Sequence, residues 1–396
     1  MTINWTTIYK AYPVNKEMIW LNNCGTTPAG SHIVKALSRF IQGYAKKGVL
    51  TKTAVYPEVQ NNIKKILSNL LNCSPDELSL IHNTAEGMNF ISHGLNLSIG
   101  DEVILLENEY PSNVYPWRHL EEKGVKLVIT PMESSPENFL KALERLITKK
   151  TRVVSLSAVH WCTGMPFPLN KVGRLCIEND IDFVVDGAQG VGMQPIDTKK
   201  DNISYMAFSA WKWLLGPLGM GILFVAKEKL PELKPVFIGT DSVVRADEYF
   251  PYKSELKPST DRFTFSTANF NDWVYLEAAL KFLQDIGFFA VRERIFELSA
   301  CLSKGLTKIG FNVFSDKFPD YQTGIVVCEK PGVNPDVIMT HLKRNKIVAA
   351  ERLGRIRFSP HVYNSMEQID KVVRVLEPVV LNIGGEGRIL HIGFHP

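Results

Sequence analysis

At 396 residues the chain is longer than one ordinary hydrophobic core supports, so two domains are expected. With 45% hydrophobic and 22% charged residues it has the balance of a globular protein, which excludes a disordered or fibrous chain. A net charge of +4, scattered in pairs such as Lys46-Lys47 and Lys149-Lys150, leaves no clustered basic face for nucleic acid; six well-separated cysteines without C-x-x-C spacing argue against structural zinc and a disulfide framework.

In chain order, residues 1–15 read as an N-terminal arm that lacks the basic-then-apolar layout of a signal peptide. Together with the cysteine usage this points to a reducing cytoplasm, with no membrane partner and no metal. Helical spacing follows over 57–71, 86–95, 136–147 and 169–179, interleaved with short β-rich runs over 102–106, 126–130, 152–156, 182–186, 204–208 and 221–225. That alternation predicts an α/β fold, with a mainly parallel sheet covered by helices in a large domain over 16–285. Ligands of such sheets bind beyond the carboxyl ends of the strands. From about Asn271 the texture changes to long helical stretches over 273–285 and 290–309. Short strands over 324–328 and 356–359 follow, then a helix announced by Ser365-Met-Glu-Gln368, a capping box. This predicts a smaller C-terminal α+β domain over 286–396, whose tail 384–396 carries no readable pattern.

The run Phe208-Ser-Ala-Trp-Lys-Trp-Leu-Leu-Gly-Pro-Leu-Gly-Met-Gly-Ile-Leu-Phe-Val225 holds one charge, Lys212. A membrane helix is a poor reading, because a central lysine costs roughly 2.5–3.5 kcal/mol on insertion scales. Gly216, Pro217, Gly219 and Gly221 would also break it. A lysine within apolar sequence either snorkels to the surface or is paired or chemically engaged. Upstream, Asp182-Phe-Val-Val-Asp-Gly-Ala-Gln189 reads as a buried strand ending in an acid, Asp186, twenty-six residues before Lys212. Alone, Asp186 is equally a turn or cap residue. An acid and a lysine at the same sheet edge match what pyridoxal phosphate requires: a lysine for the Schiff base and an acid to keep the pyridine nitrogen protonated.

With these segments, the chain resembles the class V aminotransferases from Leu21 to about Leu376. This is a pyridoxal-phosphate family of fold type I that includes cysteine desulfurases, kynureninase and isopenicillin N epimerase-like proteins. The resemblance implies Lys212 and Asp186 as the catalytic pair and pyridoxal 5'-phosphate as cofactor. It places Thr84 and Ala85, in His82-Asn-Thr-Ala-Glu-Gly-Met-Asn89, at a helix start that receives the phosphate. Tyr110, in Glu109-Tyr-Pro-Ser-Asn113, falls where the family stacks a ring on the cofactor. Gln189 would bond the cofactor's phenolic oxygen, and Ser209 resembles a phosphate-binding serine. Trp211 stands where desulfurases commonly have histidine, and indole offers one donor and no charge. In Phe265-Ser-Thr-Ala-Asn269, Thr267 resembles a residue that reaches the phosphate of a neighbouring subunit, which implies a homodimer. Arg357, in Gly354-Arg-Ile-Arg-Phe-Ser-Pro-His361, aligns with the arginine that binds the substrate carboxylate. Asn23 is a candidate carboxylate contact, Cys24 a small packed residue, and His160 with Trp161 face the substrate; Arg352 and Arg355 read as surface charges.

Within this family the expected chemistry starts at Cα of an amino acid, with Lys212 as general base. Desulfurases need a nucleophilic cysteine on a loop shortly upstream of the arginine, and 342–356 contains none. Transamination is therefore expected ahead of β-elimination or epimerisation. A non-catalytic pyridoxal-phosphate-binding regulator is the reading from another class.

Overall fold

The computed structural model describes residues 3–48, 56–133, 135–315 and 322–381; the tail 384–396 lies outside them. Seven short apolar runs form one sheet: β1 (Leu78–Ile81), β2 (Glu102–Leu106), β3 (Lys126–Thr130), β4 (Thr151–Ser157), β5 (Asp182–Asp186), β6 (Tyr205–Ser209) and β7 (Gly221–Val225), in the order β1-β7-β6-β5-β4-β2-β3. The five strands from β3 to β6 in that order are parallel, and β7 runs antiparallel to both β6 and β1. The mainly parallel α/β architecture is thus the one expected.

Apart from the edge strand β3, its strands are buried on both faces because alternate residues enter different cores. Val103, Leu105, Val184 and Leu223 pack on one side with Met88, Phe90 and Ile91 of the helix Thr84–Gly94. Ile104, Leu106, Val185 and Ile222 pack on the other with Ile63 and Leu67 of the helix Tyr56–Leu71 and Phe139 and Leu143 of the helix Pro136–Leu146. Elements not anticipated from the sequence include the helices Trp5–Lys10, Ser31–Lys47 and Pro335–Arg344 and strand β1, whose four residues are too few to show a period.

Four short strands make a second, antiparallel sheet: β8 (Asn312–Val313), β9 (Val326–Glu329), β10 (Ala350–Arg352) and β11 (Arg355–Phe358), in the order β10-β11-β9-β8. The helices Phe288–Lys308, Pro335–Arg344 and Met366–Leu381 cover it through Leu302, Leu342 and Val372. The capping box forms as expected: Gln368 N donates to Ser365 Oγ (3.2 Å) and Ser365 N donates to Gln368 Oε1 (3.3 Å). Ile19 and Leu21 also enter this core, and Ile19–Trp20 pairs in parallel with Ile347–Val348. The segment Ile19–Leu21 is therefore part of the C-terminal core. Among the described residues no helix is long and apolar enough to cross a membrane.

Candidate active site

The register of the large sheet brings several chain reversals to one edge. The carboxyl ends of β2, β4, β5 and β6 emerge there, and the antiparallel pairing of β7 adds Gly221 and its partner Ile81. Beyond this edge lies a cavity of about 580 Å³, lined by Lys212, Asp186, Gln189, Ser209, Trp211, Thr84, Ala85, Tyr110 and Arg357. Residues from Asn22 to Arg357, 335 positions apart in the chain, thus meet in one hollow.

Lys212 is half-buried rather than enclosed. Its ammonium makes no hydrogen bond or ion pair among the described residues and lies 5.6 Å from the centre of the Tyr110 ring. Burial draws its pKa below that of an ordinary lysine; Asp186 opposes this and Arg357 adds to it. After Lys212 the backbone turns left-handed at Leu215 (φ 57°) and again at Gly219 (φ 81°). Gly216 is needed for space, since a Cβ there would sit 2.8 Å from the Ala210 side chain.

Asp186 is buried and accepts from Ala188 N (2.9 Å); burial pushes its carboxyl up, with Lys212 pulling it down. Gln189 accepts from Trp213 Nε1 (3.0 Å) and donates to the Cys24 carbonyl (3.2 Å), leaving one Nε2 hydrogen free to serve an acceptor in the cavity. At the other end, the helix Thr84–Gly94 begins at Asn83, whose side chain caps Glu86 N (2.9 Å). Gly221 lets β7 pass this turn closely, since its Cβ would lie 2.9 Å from Asn83 Cα. Ser209 Oγ is buried without a partner among the described residues. A helix start, an orphaned hydroxyl, an acid and an unpaired lysine in one cavity fit the phosphate, ring nitrogen and aldehyde of pyridoxal phosphate.

Arg357 supplies the remaining feature. It is buried, its Nη1 donates to the Trp161 carbonyl (2.6 Å), its Nε has no partner, and no carboxylate pairs with it among the described residues. Such a guanidinium is costly without an anion.

Three expectations are corrected by the geometry. His160 does not line the cavity: Nε2 bonds the Asn108 carbonyl (3.1 Å) and Nδ1 bonds Thr163 Oγ1 (3.0 Å), so its ring is spent on fixing the loop. Its neighbour Trp161 lines the cavity instead. Asn23 accepts from Tyr363 OH (3.0 Å) and points elsewhere, while Asn22 and Cys24 on either side line the site. Arg352, read as a plain surface charge, also lines it. Thr267 lines separate hollows, one of them with His82 and Glu86.

Two residues not anticipated from the sequence, Glu109 and His361, support the site. The Glu109 carboxyl is buried beside Asp186 and accepts from Tyr110 N (2.8 Å), Ser157 N (2.7 Å) and Ser157 Oγ (2.5 Å), tying the Tyr110 loop to β4. Burial above all, then Asp186, pushes it up to about 7. His361 supports the lysine segment from behind: Nε2 donates to the Trp213 carbonyl (3.2 Å) and Nδ1 accepts from Val362 N (2.9 Å). Protonation would set an Nδ1 hydrogen against that amide, and burial lowers the pKa to about 3.

Because the folded pKa lies below the unfolded value, His361 stabilises the fold above about pH 6.5, and that contribution is lost as pH falls toward about 3. Glu109, whose folded pKa is raised, changes in the opposite sense. The two are separated by comparing wild type with His361→Gln in denaturant titrations between about pH 4 and 7. The wild type should lose on the order of 3 kcal/mol more than the variant across this range; parallel curves would contradict the neutral, buried role of His361.

Comparison with known proteins finds relatives along nearly the whole chain. Residues 19–375 match the family described as aminotransferase class-V. A probable cysteine desulfurase of Pyrococcus abyssi is 27% identical, over 95% of this chain and 98% of that protein. An uncharacterized aminotransferase of Schizosaccharomyces pombe is 28% identical, over 81% of each. Among solved structures, the apo cysteine desulfurase from Thermococcus onnurineus has a TM-score of 0.86 at 24% identity, covering 96% of this chain and 99% of that one. The cystine C–S lyase C-DES, in complex with its product cysteine persulfide, has a TM-score of 0.85 at 22% identity, covering 92% and 99%. At these identities the two solved structures speak to the fold.

Proposed function

The chain belongs to the class V aminotransferase family, and from that premise we propose that it is an amino-acid transaminase in which Lys212 carries pyridoxal phosphate and Arg357 holds the substrate carboxylate. The observation that carries the amino-acid reading is Arg357 itself, a buried guanidinium with a free Nε and no acid partner among the described residues, in the same cavity as Lys212.

When bound, pyridoxal phosphate supplies an electron sink that acidifies Cα and takes up the amino group. The chain's own residues do the rest. Arg357 orients the substrate through its carboxylate, so that one Cα substituent faces Lys212. Lys212 Nζ accepts the Cα proton and passes it on; its lowered pKa makes the neutral amine more available near pH 7. Asp186 places a negative charge where the ring nitrogen must stay protonated. Thr84, Ala85 and Ser209 would hold the phosphate, Gln189 would donate its spare hydrogen to the phenolic oxygen, and Tyr110 would offer a ring for stacking; all of them, with Trp211, line the one cavity. Thr267 of a second copy would complete the phosphate site, which makes the working unit a homodimer acting in the cytoplasm.

A β-eliminating C–S lyase is the second reading, favoured by the names of the relatives. An enzyme-thiol desulfurase is disfavoured, because Cys328 is buried on β9 opposite Ile356 with its thiol pushed above the usual range, and 342–356 holds no cysteine. Offering amino acids, including cysteine, cystine and cysteine conjugates, without any oxo acid separates the two. A transaminase stops after one turnover per site as its visible absorbance bleaches. Sustained release of pyruvate and ammonia from a single substrate would establish the lyase and refute transamination.

A further inference from the structure

We propose that Arg352 recognises a second acidic group, so that the substrate is an amino acid with an anion at the far end of its side chain. This rests on the reading of Arg357 as the anchor for the α-carboxylate.

The hairpin β10–β11 turns through Leu353 and Gly354, both at positive φ (52° and 77°), as a two-residue type I′ turn requires. This fixes the register: Ala350 opposes Arg357 and Arg352 opposes Arg355. Arg352 is therefore the diagonal neighbour of Arg357 on the same face, at a Cα spacing of about 7–8 Å, within reach for two long side chains. Ala350 carries only a methyl group opposite Arg357, which leaves the space between the guanidinium groups open. Both arginines line the same cavity, Arg357 buried and Arg352 exposed at its mouth.

Charge points the same way. Lys212, Arg352 and Arg357 line the cavity, against Asp186 as its one acidic residue among the described residues. Asp186 serves the ring nitrogen, the phosphate end is formed by Thr84, Ala85 and Ser209, and an α-carboxylate satisfies Arg357. Arg352 remains. Its Nη1 donates only to the adjacent Glu351 carbonyl (2.6 Å), while the Glu351 carboxylate is turned to Gly354 N (2.6 Å) and closes the hairpin. By contrast, Arg355 is already engaged outside the cavity, 3.5 Å from Glu329 and 3.7 Å above the Phe314 ring. One arginine at depth and one at the mouth suit a ligand with an acid at each end.

The test uses the holoenzyme, with succinate and butyrate as unreactive probes of equal carbon number, at fixed ionic strength. Dissociation constants are read from perturbation of the cofactor absorbance and, independently, by calorimetry. Wild type should prefer succinate. Arg352→Ala should weaken succinate about 5- to 10-fold and leave butyrate unchanged, with Arg352→Lys retaining part of the preference. An unchanged succinate-to-butyrate ratio in Arg352→Ala would overturn the proposal while leaving the anchor intact. Butyrate binding undiminished by Arg357→Ala would overturn the anchor, and the proposal with it.

Discussion

Replacing Lys212 by alanine is expected to abolish covalent retention of the cofactor and to lower turnover by at least about 10²- to 10⁴-fold, the usual contribution of a positioned general base. The fold should survive. Lys212 Nζ makes no hydrogen bond or ion pair among the described residues, and burial already disfavours its charge. Removing it therefore breaks no described polar contact. The purified variant should lack the visible absorbance of the wild type and keep its thermal stability without added cofactor. A variant that retains the absorbance after desalting would move the attachment to another lysine.

Arg357→Ala should separate two quantities that usually move together. Substrate affinity should fall by roughly 10- to 100-fold, the effect of losing a charged hydrogen-bond partner of about 1.5–3 kcal/mol. Stability of the ligand-free protein should hold or rise, because the guanidinium is buried without an acid partner among the described residues. Ligand titration and denaturant unfolding of one preparation check both. Weakened cofactor retention with an unchanged KM for every accepted amino acid would contradict the substrate role. Arg357→Lys should rescue only part of the affinity, since an ammonium cannot reproduce the two parallel bonds of the guanidinium fork.

Much of this arrangement is legible in the residues because it sits where apolar runs end. Asp186 and Ser209 close buried strands, and Lys212 follows at once, so the edge of the sheet can be read from hydropathy and turn residues. What escapes is phase. Asn22, Asn23 and Cys24 differ by single steps along a segment, and its pairing with Ser359, across more than 300 residues, decides which side chains face inward. His160 reads as available because one of its partners, the Asn108 carbonyl, lies 52 residues away on a loop held at positive φ (57°). Arg352 could have been found: Leu353-Gly354 is a two-residue turn, and counting outward from it pairs Ala350 with Arg357 and sets Arg352 on the same face. Glu109 was hidden for another reason. An acid after a strand reads as a surface residue, and only the convergence of Tyr110 N and Ser157 upon it shows a buried carboxyl.

The central claim, that Lys212 carries pyridoxal phosphate, is tested most directly by borohydride reduction of the coloured wild-type protein, followed by proteolysis and mass spectrometry. The phosphopyridoxyl mass should appear on the peptide containing Trp211-Lys212-Trp213, and its yield should match the loss of visible absorbance. Its appearance on any other lysine, or an unmodified Lys212 peptide from fully reduced protein, would contradict the assignment.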